Sequence, residues 1–385
     1  MGQGLLQLYR KELLLLEEKS NRRNLPDIIH QGRKVIRQDK QMLNLSSNDY
    51  LGLASNLSLR KAFLENLTPD NFLPSSSSSR LLTGNFTANR ELEELLCRLF
   101  ESESCLVFNS GYHMNTGILP AVSDSKTLIL ADKLVHASLI DGIRLSTAKF
   151  GRYKHNDYEQ LEALLRKNHA EYERIIIVTE SIFSMDGDEV DLRKLVTLKK
   201  LYPNIMLYVD EAHAIGVRGA KGLGCAEEQG CMTDIDFLTG TFGKALASVG
   251  GYIICRKVIR EYLINKMRTL IFTTALPPVN LMWTRFVLER SVCLTDKREY
   301  LEKISNRLRE QLIAKGYVCP STSHIIPMMI GGSRETVQKA EQMQQKGFYM
   351  LPVRPPTVPE GSSRIRISLT AAICAEEIEN LIALL

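Results

Sequence analysis

The sequence predicts an α/β fold in which a mainly parallel sheet lies between layers of helices, with an N-terminal arm before it and a smaller C-terminal α/β domain after it. Three observations carry this. The runs Leu128–Leu130, Ile175–Val178 and Ile205–Val209 are apolar throughout instead of alternating, as strands covered on both faces are. Helix-period stretches, Leu161–Arg166 and Leu192–Lys200, separate them, and strand, helix, strand at that spacing gives right-handed parallel crossovers. Length agrees, since 385 residues at about 150 per domain make two domains or so.

Taken in order, Leu5–Lys19 interleaves leucines with Lys and Glu as an amphipathic helix does, and Pro26 stops any helical run, which makes residues 1–45 an arm. A large domain follows over 46–276. Within it, Leu92, Leu95, Leu96 and Leu99 of Arg90–Phe100 fall at i, i+3, i+4 and i+7, the core-facing stripe of a helix. Pro277-Pro278 marks the change to a small domain over 277–385. It reads as two helices, the first through Cys293 and the second Tyr300–Lys315, then a strand His324–Ile330 and a helix Glu335–Lys346 with Gly347 as its C-cap. A strand Phe348–Val353, a strand Arg364–Leu369 and a terminal helix complete it. Ser75–Ser79 is the one low-complexity patch, and there are no internal repeats.

Composition narrows the function classes. With 44% hydrophobic and 24% charged residues the chain is neither disordered nor fibrous. Its 49 basic and 44 acidic residues leave a net charge of +5, spread along the chain rather than gathered into arms, so no nucleic-acid partner is implied. The eight cysteines form no C-x-x-C and none stands at zinc spacing from a histidine, which points to free thiols in a reducing compartment and to no metal site. No apolar run approaches the ~20 residues of a membrane span. Leu6 stands where N-myristoylation of Gly2 wants Ser or Thr, and Tyr9–Arg23 lacks a signal-peptide cleavage site. The cytoplasm is the expected location, with no membrane partner.

Three stretches carry chemistry. In Asp236–Lys244 a lysine follows an apolar run and a turn built from Gly240, Thr241 and Gly243. A poorly hydrated lysine there loses its preference for the ammonium form and can act as a Schiff-base nucleophile and proton carrier. Taken singly, a loop lysine is more often solvated. The strand Ile205–Val209 ends in Asp210-Glu-Ala-His213, which sets Asp210 at the carboxyl edge of a parallel sheet, where α/β proteins bind ligands. A carboxylate there can pair with a protonated ring nitrogen, such as that of pyridoxal 5'-phosphate (PLP), or can simply cap a helix. Asn109-Ser-Gly-Tyr112 lies between an apolar run and a helix-like segment, a place where backbone N–H groups meet a phosphate, although Ser-Gly turns are also common punctuation.

Read with further motifs, these stretches resemble the α-oxoamine synthases, PLP-dependent enzymes of the aspartate-aminotransferase fold, fold type I. The likeness runs over nearly the whole chain. It rests on Leu45-Ser-Ser-Asn-Asp-Tyr-Leu-Gly52, His136-Ala-Ser, His155-Asn-Asp, Thr179-Glu-Ser-Ile-Phe-Ser-Met-Asp-Gly-Asp188, Asp210-Glu-Ala-His213, Thr239-Gly-Thr-Phe-Gly-Lys244 and Arg354-Pro-Pro-Thr-Val-Pro359. His155-Asn-Asp and Arg354–Pro359 favour the members that join L-alanine to a pimeloyl thioester. The resemblance implies a seven-stranded, mainly parallel sheet in the large domain, and a homodimer with its active sites at the subunit interface.

It also implies roles residue by residue. Lys244 matches the lysine that holds PLP, Asp210 the partner of the pyridine nitrogen, and His136 the imidazole stacked on the ring. His213, with Ser184 beside it, matches the donor to the phenolic oxygen. Gly111, Tyr112 and Thr241 match contacts at or near the cofactor phosphate, and Thr273 or Thr274, of which Thr274 is preferred, reaches the phosphate of the neighbouring subunit. Arg366 matches the arginine that holds the amino-acid carboxylate; Arg22 and Thr357 match acyl-substrate positions, with Asn48 and Glu180 lining the same region. Arg364 and Arg366 alternate along a strand and so share a face, one of them being open to plain solvation. His30, His113, His155, His169 and His324 receive no catalytic role.

The sequence departs from the family in two places. Ser75–Ser79 replaces a glycine-rich loop, and serine is less permissive than glycine at positive φ. Val135 precedes His136 where Asn or Ser is usual. The implied activity is decarboxylative condensation of L-alanine with an acyl-CoA or acyl-carrier-protein thioester. Its nearest alternative is a glycine-using C-acetyltransferase of the same family. A silent PLP-fold binding protein would have lost the lysine, the aspartate or the stacking histidine, and all three are present. A nicotinamide dehydrogenase lacks its Gly-x-Gly-x-x-Gly after the first strand.

Overall fold

The computed structural model describes residues 2–385, which divide into two compact units. The larger comprises Asn56–Ser184 and Glu189–Arg298; the other comprises residues up to Ser55, Met185–Asp188 and Glu299–Leu385. Two packing facts draw these borders away from 45/46 and 276/277. Strand Lys40–Asn44 pairs in parallel with Phe348–Tyr349, which ties the start of the chain to its end. Helix Pro278–Ser291 packs on helix Thr87–Phe100 and so stays with the larger unit.

The larger unit is built on seven strands: β1 Ser104–Phe108, β2 Thr127–Asp132, β3 Lys149–Tyr153, β4 Arg174–Glu180, β5 Ile205–Asp210, β6 Phe237–Thr241 and β7 Gly251–Cys255. Their spatial order is β1-β7-β6-β5-β4-β2-β3. Only β7 runs against the rest. The three apolar runs are β2, β4 and β5, and nearly every residue in them is buried because helices cover both faces. Register puts Glu180 opposite Asp210 and Asp210 opposite Thr239, so neighbouring strands finish side by side.

Helix Thr87–Phe100 turns Leu92, Leu95 and Leu96 into the core as the periodicity predicts, and Leu99 is half-buried. Its Glu93 is also buried, which the pattern does not foretell. That carboxylate lies 2.6 Å from Arg80 Nη1 and 2.9 Å from Arg260 Nη2, and accepts the Val107 N–H at 3.0 Å. Arg80 thereby anchors the end of the serine loop. Within Ser75–Ser79 only Ser77 takes a positive φ, +50°. Ser76 is buried, with its hydroxyl on the Ala275 carbonyl at 2.7 Å.

In the other unit the arm is helical over Gly2–Glu18 and leaves Leu5, Leu6, Leu8 and Leu14 exposed. Strands Ile29–Gln31, Lys34–Arg37, Lys40–Asn44 and Phe348–Tyr349 form one sheet; Ile325–Gly331, Ser363–Ser368 and Pro352–Val353 form another. The expected strand Phe348–Val353 is therefore two, each in its own sheet. Pro352 has no N–H for a ladder, and Pro352–Val353 occupies an edge of its sheet. Gly347, at φ +91°, closes helix Ser333–Gln345 as expected.

Replacing Glu93 with Ala removes the carboxylate that pairs two arginines, one of them largely buried. We expect Glu93→Ala to lower unfolding free energy by about 3 kcal/mol; a loss below about 1 kcal/mol in denaturant titration speaks against a structural anchor.

Candidate active site

Five strand ends meet at the carboxyl edge of the large sheet, and each carries a residue singled out in the sequence. After β1, Ser110 caps helix Gly111–Val122, its Oγ accepting the His113 N–H at 3.1 Å. Gly111 and Tyr112 are the first residues of that helix, whose opening N–H groups have no partner within the helix. A Cβ on Gly111 would meet only the Thr241 side chain, at 3.6 Å, so glycine keeps the space over this first turn open. The Tyr112 ring is half exposed, and its hydroxyl donates to Asp141.

After β6, the Thr241 hydroxyl donates to the Gly250 carbonyl at 2.8 Å and accepts the Gly243 N–H at 3.3 Å. This tightens the turn that presents Lys244, which is half-buried, with Nζ 2.8 Å from His213 Nε2. Asp210 ends β5 and is buried; its Oδ1 accepts the Ala212 N–H at 2.9 Å and its Oδ2 accepts Asn115 Nδ2 at 2.8 Å. After β2, Asp132 accepts the Leu134 and Asn156 N–H groups at 2.8 and 3.0 Å and faces His155 Nδ1 at 3.0 Å. The His155-Asn-Asp motif thus braces the turn that leads to His136. After β4 come the buried Glu180 and Ser184.

Charge in this edge is unevenly shared. Burial raises the Glu180 carboxyl well above its ordinary range, and Asp210 on the neighbouring strand reinforces this. Desolvation likewise lowers His136 below its ordinary 6.5, aided by Lys244 and opposed by Asp210. His136 is an exposed residue, yet the neutral imidazole is the form its surroundings favour. Behind the edge, burial pushes Glu211 up to about 7, although Ser181 Oγ and the N–H groups of Cys225 and Ala226 all donate to it.

The other unit holds the remaining predicted residues apart from Thr274. Arg366 Nη1 reaches Asn48 Oδ1 at 3.1 Å and Ser368 Oγ at 2.5 Å, and Nη2 reaches the Tyr50 hydroxyl at 3.2 Å. Arg364 is not a solvated partner on the same face: it is buried and ion-paired with Asp186. Arg22 pairs with Glu17 at 2.6 Å, and it is Arg23 that donates to Thr357 Oγ1, at 2.9 Å. Arg23 also holds the Arg354 and Pro355 carbonyls, while Arg354 donates back to the carbonyls of Ser20 and Arg22. Sequence reasoning missed Arg23 and the side chain of Arg354, Tyr50, Asp132 and Asn115. Of these, Asp132 was visible, since it ends an apolar run as Asp210 does. Thr274 is exposed, and its carbonyl accepts Asn109 Nδ2 of the same chain at 2.6 Å.

The donor set of the large unit suits PLP: an acid at a strand end for a ring nitrogen, a lysine on the next turn, and a helix start with a threonine hydroxyl for a phosphate. Glu180 Oε1 adds a buried polar atom with no hydrogen-bond partner among the described residues, as in a site that a bound molecule completes. Residues 40–385 match the family described as aminotransferase class I and II. The chain belongs to that family. Its relatives include proteins named "Putative 8-amino-7-oxononanoate synthase" from Pasteurella multocida, 55% identical over 99% of both chains, and from Neisseria meningitidis serogroup A, 54% identical over 99% of this chain and 100% of the other. Among solved structures, the serine palmitoyltransferase of Sphingomonas wittichii superposes with a TM-score of 0.89 at 29% identity, covering 98% of this chain and 94% of that one. The 8-amino-7-oxononanoate synthase of Francisella tularensis does so with a TM-score of 0.77 at 26% identity, covering 89% and 96%. Fold type I and PLP dependence, both implied by the sequence, stand for this member of the family.

Glu211 gives the folded protein a pH signature. Its folded pKa of about 7 exceeds the ordinary 4.5, so the folded state holds a proton that the unfolded state has released between those values. Stability from this group is present below about pH 4.5 and is lost as pH rises through about 7. Glu211→Gln cannot titrate, and we expect a flatter stability profile between pH 5 and 7 in thermal melts; an unchanged slope removes Glu211 as its source.

Proposed function

We propose that this enzyme joins L-alanine to a pimeloyl thioester, carried on CoA or on a carrier protein, releasing carbon dioxide, the free thiol and 8-amino-7-oxononanoate, a step of biotin synthesis. The observation that carries the reading is the grouping of Lys244, His213, Asp210 and His136 on one sheet edge. Relatives named for this product, 54–55% identical over nearly the whole chain, support the choice of substrates.

Bound PLP supplies an electron-accepting ring that lets bonds at the amino acid's Cα break with their electrons left behind. Asp210 pairs with the ring nitrogen and keeps its proton in place. A neutral His136 would lie against bound PLP without setting one cation against another. His213, with Ser184, would donate to the phenolic oxygen, and the first N–H groups at Gly111 and Tyr112 would hold the phosphate, beside the Thr241 hydroxyl, whose proton goes to the Gly250 carbonyl. The Lys244 amine, beside His213 Nε2, removes the proton at Cα and later returns one.

Arg366, its fork fixed by Asn48, Tyr50 and Ser368, takes the substrate carboxylate in two parallel hydrogen bonds. Arg22 and Thr357 meet the acyl chain, with Asn48 and Glu180 along it; the hydrogen bond to Thr357 adds Arg23 to that group. We place the enzyme in the cytoplasm, as its free cysteines favour; no helix among the described residues is long and apolar enough to cross a membrane. The homodimer is supported by exposed apolar side chains on the arm and at Phe272, next to Thr274, which then reaches the partner's phosphate.

Two measurements test this. The purified enzyme should show the visible absorbance of lysine-bound PLP, and Lys244→Ala should lose it along with more than about a hundredfold of kcat; a variant keeping the band ends the assignment of Lys244. In an activity matrix of alanine or glycine against pimeloyl or acetyl thioesters, alanine with pimeloyl should lead by about tenfold or more, the scale that one methyl group gives. A lead for glycine with the acetyl donor moves the protein to the glycine-using branch, and matched pimeloyl-CoA and carrier-protein arms identify the donor.

A further inference from the structure

Asn115 lies inside helix Gly111–Val122, is buried, and uses its whole amide. The Tyr208 hydroxyl donates to its Oδ1 at 2.6 Å. Its Nδ2 donates to Asp210 Oδ2 at 2.8 Å and to Ser138 Oγ at 2.9 Å. Ser138 Oγ lies 2.8 Å from His136 Nδ1, which also accepts the Ser138 N–H at 3.2 Å. With Nδ1 accepting that N–H, the Ser138 hydroxyl must donate to it, and the remaining histidine proton sits on Nε2. The polarity is therefore consistent along the whole path, from Tyr208 to Asn115 and from Asn115 to both Asp210 and, through Ser138, His136. Turning the amide over would set its oxygen against the Asp210 carboxylate, so the arrangement has one orientation. Tyr208, Asn115 and Ser138 are each at most 1% exposed, which keeps water from replacing any link.

We propose that Asn115, oriented by Tyr208, is a positioning residue that locks the ring-nitrogen acid Asp210 and the stacking imidazole His136 into one unit. The lock sets the carboxylate's aim at one edge of the cofactor and the tilt of the imidazole over its face at the same time. It rests on the roles given above to Asp210 and His136, not on the choice of thioester.

The test is a double-mutant cycle on the full-length enzyme, read by PLP affinity in reconstitution of the apoenzyme, by the pH dependence of the bound cofactor's absorbance, and by kcat and KM for alanine. Asn115→Leu should weaken PLP binding by roughly tenfold or more, the scale seen when the outer partners of a ligating group are removed. It should lower kcat, leave KM for alanine within about twofold, and shift the absorbance titration. Combined with Asp210→Asn it should add little, because both changes remove the same interaction. Tyr208→Phe removes one oxygen, keeps the ring's packing, and should show a smaller loss in the same direction; it carries the test if Asn115→Leu does not fold, as judged by apoenzyme melting. Fully additive losses, or folded variants with unchanged PLP affinity and titration, overturn the lock. If instead Asp210→Asn alone leaves cofactor binding and kcat intact, it is the role of Asp210 that fails.

Discussion

The parallel register of β4, β5 and β6 is the constraint on which the site depends. Glu180, Asp210 and Thr239 lie on one line across three strands, so the loops that follow begin at the same edge and at the same height. Side chains alternate along a strand, and a slip of one residue would turn Asp210 to the opposite face while Lys244 moved along with its turn. Burial on both faces prevents that slip, since it would demand that every neighbouring side chain repack. Gly240 marks how tight the packing is: a Cβ there would come within 2.5 Å of the Tyr252 hydroxyl, so β6 lies against the ring on β7 only with glycine at that position.

The strands that build this edge were legible because short unbroken apolar runs separated by helix-period stretches fit strands covered on both faces, and Asp210 stood out as the acid that ends one. The same rule applied to Leu128–Asp132 would have found Asp132, whose work is to fix the turn before His136. Asn115 could not be found this way. In a helix that is mostly buried, one amide is an ordinary residue until its three partners arrive from positions 138, 208 and 210. The sequence left open whether Arg364 or Arg366 is merely solvated, because alternation tells which face a side chain takes but not what covers that face, and Asp186 covers Arg364. Arg22 and Arg23 are adjacent and chemically alike, so only coordinates could say which of them holds Thr357.

Polar groups behind the site follow one pattern. Glu93, Asp132 and Glu211 each meet the needs of several backbone N–H groups, hydroxyls or arginines at once, and each braces a loop: the serine loop before Arg80, the turn before His136, and the segment around Ser181. Buried acids of this kind contribute little net stability as charges. Their effect is to leave each loop one geometry, and a site assembled from five strand ends needs five such geometries together.

Charge explains why two acids can stand on neighbouring strands here. Asp210 and Glu180 face one another in register, and two carboxylates in one buried edge cannot both ionise cheaply. Asp210 has donors on both oxygens; Glu180 has an oxygen with none among the described residues, and its carboxyl is driven upward. Burial and the facing Asp210 both favour the protonated form of the Glu180 carboxyl. Burial thus favours the uncharged form of both Glu180 and His136 on the edge that also carries Lys244 and Asp210.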